Sequence, residues 1–580
     1  MRIGRILRGA VIALALLGLT ACASLPVTGD VRPGLAAGQS GGGSDLAFVP
    51  QGPSNGMDPK DIVRGFIDAA SSPKDSWSIA RQFLTADEAQ KWKPDAGVTI
   101  DTGSAERRFD VPDVAKEATS TSVHLSLQQA GAVDETGAYS GAPVNRAAEL
   151  MFTLAKNKDG QWRISAAPDG IVLDADSFAA ADVFAPYALQ YFDPSWTYLV
   201  PDVRWFPKRE NTASRIVQSL VSGKPSPWLS GAVRTAFTGD IALGRNAVTF
   251  DSQIAEVALN DAANKADPVT LARMRTQLER SLSSLSGAGV LQVKLTSSGR
   301  DLSAGAATAA PTAVDPRPLV LTDKGFGYLA GGELTPIDGV SVPLQNFPEQ
   351  ITAIRAASGA QRVAVQGVSG TVYAVADGRT DEIDARPGLI PPALDPFGYI
   401  WTVPRTSPSS ILAWSNSASA SASASRSLAG PSDAGQITAM AVSRDGARLA
   451  MAVTANGQVR IEVVAIARDD RGAPTGLGVA DPNVIAWPAA ALDIAWLDDT
   501  TVGVLATDAA SPLLRQQQVG GPARTVDVPE ATQTIAPGSP TTSVQLFGNG
   551  VLWVRSGPAP TQVSTNVKVL AVQIGGQPGG

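Results

Sequence analysis

Ile437-Thr438-Ala439-Met440-Ala441-Val442-Ser443-Arg444-Asp445-Gly446-Ala447-Arg448-Leu449-Ala450-Met451-Ala452-Val453 reads as two apolar strands joined by a tight turn. Ser443-Arg444-Asp445-Gly446 is the turn: Ser, Asp and Gly between two apolar runs form a strong hairpin signal. Related wording returns at Ile351-Thr352-Ala353-Ile354, at 390–394, at Leu492-Asp493-Ile494-Ala495 and at Thr542-Ser543-Val544-Gln545. Each segment leads through a turn into an apolar strand, at 362–365, 398–403, 501–505 and 550–554. The starts lie roughly 40–55 residues apart, the length of one four-stranded propeller blade. Residues 318–576 are therefore predicted to form a β-propeller of about six blades. In that reading 319–330 supplies an earlier blade and 567–574 closes the ring, while the Ser/Ala run 415–425 is a flexible loop between blades. A β-sandwich is the structural alternative.

Upstream the pattern changes to mixed α+β. Asp58-Pro59 is a helix start, and Ile62, Val63, Phe66, Ile67 and Ala70 form one stripe behind it. A second helical stretch carries Trp77, Ile79, Ala80, Phe83 and Leu84, a third spans 85–92, and strands follow at 123–127, 147–154, 162–165 and 171–173. This predicts an N-terminal α+β domain over 58–195. A second α+β domain is predicted over 196–300. It starts with a strand through Trp205-Phe206. Next comes a helix capped by Asn211 or Thr212, with Ile216, Val217, Leu220 and Val221 inward. A hairpin of 247–250 with 255–259 follows. Asp267-Pro268 then opens a longer helix with Leu271, Met274, Leu278, Leu282 and Leu285, and a strand at 290–295 ends the unit. Residues 301–317 read as a small-residue linker. The fold class is two α+β domains followed by an all-β propeller.

The chain has 580 residues, 44% of them apolar and 17% charged, and a mean hydropathy of +0.04, a balance that supports packed cores. Arg2, Arg5 and Arg8 precede the apolar run 10–17, the layout of a secretory signal peptide over residues 1–21. That run is too short to cross a bilayer about 30 Å thick. Leu19-Thr20-Ala21-Cys22 looks like a bacterial lipobox, which implies diacylglyceryl attachment to Cys22 and cleavage just before it. Ala21-Cys22-Ala23 also fits an ordinary cleavage site, which would remove the cysteine. Residues 22–57, with Gly41-Gly42-Gly43, read as a flexible tether spanning about 30–35 Å. Loss of three arginines and no acids with the signal would take the net charge from −7 to −10, so attachment would rest on acyl chains. The acidic balance and a pI near 5.1 argue against nucleic acid as a partner.

One Cys and one His in the chain exclude Cys/His catalysis, Cys-rich zinc sites and intramolecular disulfides. His124 lies in an alternating strand and reads as a surface or half-buried residue. The pairs Asp174/Asp176, Asp469/Asp470 and Asp498/Asp499 are carboxylate pairs of the kind used in glycoside cleavage, and more simply solvated loops. No catalytic, cofactor-binding or metal-binding residue is assigned. The aromatic group Trp196, Tyr198, Trp205, Phe206 and Trp228 is either core or a binding surface, and Trp228 and Trp205 are the candidate partner contacts.

The order lipobox, helices-then-sheet domain, mixed domain and propeller resembles the actinobacterial LpqB lipoproteins. Tyr191-Phe192-Asp193-Pro194-Ser195-Trp196, Val203-Arg204-Trp205-Phe206-Pro207, Ser219-Leu220-Val221-Ser222-Gly223 and Pro227-Trp228-Leu229 resemble the GerMN domain. The departures are residues 280–286, which match that domain's later helix loosely, and the Ser/Ala insertion near 420. The resemblance implies a non-enzymatic lipoprotein anchored on the outer face of the cell membrane. It would contact the extracytoplasmic domain of the sensor kinase MtrB and modulate signalling to MtrA, and so envelope and division control. The alternative is a cell-wall module that binds peptidoglycan or another glycan, without direct sensor contact.

Overall fold

The computed structural model describes residues 50–575 apart from 114–116, 210, 252, 286–289, 416–423, 482, 484, 488–490, 509–510 and 539–542. The expected signal peptide, Cys22, the tether as far as residue 49 and most of the Ser/Ala run lie outside the described residues; the flanks of that run, Ser415 opposite Ala424, pair within one blade, so it does not lie between blades.

The first domain opens with helix Pro59–Ala70. Asp58 accepts the Asp61 N–H at 2.8 Å, and Pro59 sits where no donor is needed. Ile62, Val63, Phe66 and Ile67 are buried on one face. They pack on a sheet ordered Trp162–Ala166, Tyr139–Lys156, Ser120–Val133, Val98–Asp101, Ile171–Asp174, in which only the last pairing is parallel. The second helical stretch is shorter than expected and keeps only Ser78–Arg81. Asp75, Ser76 and Trp77 ahead of it take φ of +47°, +56° and +60°, which no right-handed helix accommodates. Trp77 then turns inward, 1% exposed, and its Nε1 donates to the Ala70 carbonyl at 2.9 Å.

The second domain begins earlier than the sequence suggested. Phe184–Phe192 pairs antiparallel with Leu199–Pro207, from Phe184 opposite Pro207 to Phe192 opposite Leu199. A boundary at 195/196 therefore falls in the turn of a hairpin. Tyr187, Leu189 and Tyr191 of its first strand share a core with Ile216, Val217 and Leu220. The turn is wound on the buried Asp193: Oδ1 accepts the N–H groups of Thr197 and Tyr198 at 2.7 and 2.6 Å, and Oδ2 accepts that of Ser195 at 2.8 Å. Helix Pro268–Leu282, capped by Asp267, is the crossover that lets Gln292–Ser297 lie parallel to Ile254–Leu259. Leu243–Asp251 pairs antiparallel to the other side of Ile254–Leu259.

The segment 301–317 has little regular structure, yet it is tied down along its length. Ala304 O accepts from Arg275 at 2.7 Å, Ala307 N donates to Thr276 at 2.8 Å, and Ala310 N donates to Thr197 O at 2.8 Å. Thr312 then donates to Asp499 of the propeller at 2.8 Å. It is a fixed strap.

The propeller has six blades among the described residues. Five begin on the inner strands Ile351–Ala356, Ala393–Leu394, Gln436–Val442, Ala491–Trp496 and Thr534–Pro537. The remaining blade is shared between the two ends of the propeller sequence. Val567–Gln573 is its inner strand and pairs antiparallel with Leu319–Thr322, which continues into Gly325–Ala330 and Glu333–Pro336. The last repeat is corrected by one strand. Val544–Gly548, expected as a blade's first strand, is the second, because Thr534–Pro537 lies inside it. Inner and second strands are equally apolar here, so the repeat pattern alone does not tell them apart.

One aspartate closes the turn after the inner strand in three blades. Asp395 accepts from Phe397 and Tyr399, Asp445 from Ala447, and Asp498 from Thr500 and Thr501, all backbone N–H groups at 2.7–3.0 Å. At 443–446, Gly446 has φ +74°, and a Cβ there would stand 2.8 Å from the Phe397 ring.

Candidate functional site

Strand Leu199–Pro207 joins the three domains, because alternate side chains leave opposite faces of it. On one face lie Asp202 and Arg204, 3% and 5% exposed. Arg204 donates to Asp202 at 2.9 Å, and the Ser226 N–H and hydroxyl each donate to the same carboxylate at 2.7 Å. Arg204 also donates to Thr136 of the first domain at 2.9 Å. Burial opposes the charge of Arg204, but the Asp202 carboxylate, together with Tyr191 and Asp134, raises the guanidinium pKa on balance.

On the other face the Trp205 ring lies 4.2 Å from that of Phe178 of the first domain, tilted by 32°, and its Nε1 donates to Gly520 O of the propeller at 2.8 Å. The Trp205 N–H donates to Gly137 O at 2.8 Å. With 3% of its surface exposed, Trp205 is an internal weld and not the partner contact expected from the sequence.

Beside this strand a cleft of about 350 Å³ opens between the domains. Tyr139 of the first domain, Asp202 and Trp228 of the second, and Val479, Asp481 and Val519 of the propeller are among its walls. Trp228 is half-buried in the single turn Pro227–Leu229 and packs against the propeller core that includes Ile461 and Val463. Val479 is 76% exposed at the cleft. Asp481 is 4% exposed and accepts the backbone and side-chain N–H of Asn483 on Oδ1, at 3.0 and 2.9 Å. Burial pushes its carboxyl pKa up; the Asn483 hydrogen bonds counter this, and the Asp202 charge adds to it. Asn483 ties the site to the first domain, donating to Tyr139 O at 3.0 Å and accepting from Gly141 N–H at 2.8 Å. A concave, largely apolar site with a few fixed polar groups is the usual form of a ligand pocket.

The other expected residues lie elsewhere. His124 is half-buried in Ser120–Val133, opposite Met151. Asp176 is exposed, and the other five acids of the pairs each hold local structure. Asp174 caps helix Ala175–Ala179: burial would raise its pKa, but the hydrogen bonds from Ser177 hold it low. Asp469 closes a turn, and Asp470 pairs with Arg234 of the second domain at 2.6 Å. Asp498 closes the turn already described, and Asp499 holds the strap. Among the described residues no group of three or more His, Cys, Asp or Glu is arranged to hold a metal. None of their helices is long and apolar enough to cross a membrane.

Sequence reading missed Asp202, Ser226, Asp481 and Asn483. Asp202 carried a signal: an acid two residues before an arginine within an apolar strand marks a buried pair on one face. Asp481-Pro482-Asn483 carried none.

Two α+β domains and a six-bladed propeller meeting around this cleft define a multidomain β-propeller protein. Residues 52–179 match the family model described as Lipoprotein LpqB, N-terminal domain, and residues 326–567 match that of the Lipoprotein LpqB beta-propeller domain. The chain belongs to the LpqB lipoprotein family. It is similar to proteins named Lipoprotein LpqB from three actinobacteria. Identity to that of Bifidobacterium longum is 32% over 255 residues, 42% of this chain and 43% of the relative. To that of Thermobifida fusca it is 31% over 274 residues, 46% and 42%. To that of Streptomyces coelicolor it is 26% over 488 residues, 78% of each. The matched stretches thus span about two-fifths of the first two relatives and nearly four-fifths of the third.

Proposed function

We propose that this chain is a lipid-anchored protein of the outer membrane face that acts by contact with a neighbouring membrane protein, the sensor kinase MtrB. Through that contact it modulates the MtrAB two-component system. The observation that carries this reading is the welding of three domains around strand Leu199–Pro207, which presents their surfaces as one preformed body. A preformed surface loses little ordering entropy on binding. A lipid at Cys22 and a tether would hold it at raised effective concentration near a membrane partner, so a weak interface suffices. A modulator of this kind shifts the sensor only by its differential affinity for the sensor's two states.

The test is a titration of residues 30–580 against the purified extracytoplasmic domain of MtrB. Saturable binding supports the reading. No binding at tens of micromolar, together with co-sedimentation with purified cell wall, replaces it with the glycan-binding alternative.

A further inference from the structure

The cleft is unbalanced in charge. Two buried carboxylates, Asp202 and Asp481, line it, and only one is neutralised. Arg204 and Ser226 take up Asp202. The two donors that Asn483 offers Asp481 both go to Oδ1, and no described residue donates to Oδ2. Among the described residues the charged group that acts on Asp481 is Asp202, of the same sign, and none of them sets a cation beside it. A carboxylate taken out of water without a counter-charge costs several kcal/mol, and proteins ordinarily avoid it by pairing. Here the pair is missing at the wall of an open cavity. The remaining walls include the apolar residues Val479, Val519 and Pro201 and the aromatic residues Trp228 and Tyr139. Aromatic faces favour cations, and apolar walls take up the methylene stem of a long basic side chain.

We propose that this cleft receives a Lys or Arg side chain presented by a partner polypeptide, the stem lying along the apolar walls and the charged end meeting Asp481. The proposal rests on the protein-contact reading and names the contact. It excludes an anionic or purely apolar occupant.

The test uses the full chain and a probe peptide, acetyl-Leu-Lys-Leu-amide, with its Nε-acetyl-lysine counterpart as control, followed by saturation-transfer NMR. The lysyl peptide is expected to bind at least tenfold more tightly than the acetylated one. Asp481→Asn, which keeps the acceptor for Asn483, is expected to remove that difference. Val479→Lys, at an exposed position whose change leaves the core intact, would place an ammonium at the cleft in cis and is expected to abolish binding. Equal binding of the two peptides, or tight lysyl binding that survives both substitutions, overturns the assignment. If the lysyl peptide fails to bind while the MtrB domain still does, the cleft assignment falls and the protein-contact reading stands. If the peptide binds and the MtrB domain does not, the cleft assignment stands and the named partner falls.

Discussion

Asp395 and Asp481 are both carboxylates buried where separate parts of the chain meet, and their surroundings treat them in opposite ways. Asp395 gives Oδ1 to the N–H groups of Phe397 and Tyr399, and Oδ2 to Trp401 Nε1 and Arg468 at 3.0 and 2.7 Å. Both partners of that ion pair are fully buried. Arg468 stands 4.5 Å from the Phe397 ring, which meets Tyr198 of the second domain edge-on at 5.3 Å. Asp481 has its hydrogen bonds on one oxygen and, among the described residues, no cation beside it. One junction is complete within the chain and behaves as a weld. The other is complete only with something added.

Four substitutions sharpen or break that contrast. Arg468→Met should have the largest effect, because it leaves Asp395 buried without a counter-charge. A loss of about 3–5 kcal/mol is expected, read as a large fall in Tm by calorimetry. An unchanged Tm would mean the weld is dispensable. Gly446→Ala attacks the same junction through the backbone. A side chain at φ +74°, crowding Phe397 at 2.8 Å, should cost about 1–3 kcal/mol in denaturant unfolding. Trp205→Phe keeps a ring against Phe178 and deletes only the donor to Gly520 O, so about 1 kcal/mol should be lost. A larger drop would show that the wall of the cleft depends on that single bond.

Asp481→Asn should carry the opposite sign. Burial raises the folded pKa of Asp481 above its unfolded value, so the folded state holds the proton more tightly. The penalty is absent below the unfolded pKa, grows as pH rises toward the folded one, and is full above it. The variant should therefore melt higher than the parent at pH 7, and the two Tm values should converge as the pH falls below 4. A variant that melts lower at neutral pH would show that Asp481 is already paired.

Much of the propeller was legible because it is local. A turn such as 443–446 and its flanking strands lie within about twenty residues, and the same pattern recurs blade after blade. The boundary between the first two domains was not legible. Tyr187, Leu189 and Tyr191 read as the end of one unit until their pairing with Leu199–Pro207 is seen. The cleft was less legible still. Tyr139, Asp202, Trp228 and Asp481 lie far apart in sequence, and nothing in the wording around Asp481 sets it apart from an ordinary loop acid. Burial decides its character, and burial is supplied by the other two domains. Trp205 shows the same thing in reverse, since only its neighbours turn a plausible surface aromatic into an internal one.

The strand Val567–Gln573 has a consequence in the order of synthesis. Its partner Leu319–Thr322 is made some 250 residues earlier, so the first three strands of that blade emerge without the strand that covers their inner edge. Until the last one arrives the ring is an open arc with two unpaired sheet edges, the kind of surface on which chains aggregate. Joining ends so far apart in sequence is slow for entropic reasons. A nascent chain interrupted just before Val567 would hold five complete blades and no strand to close the ring.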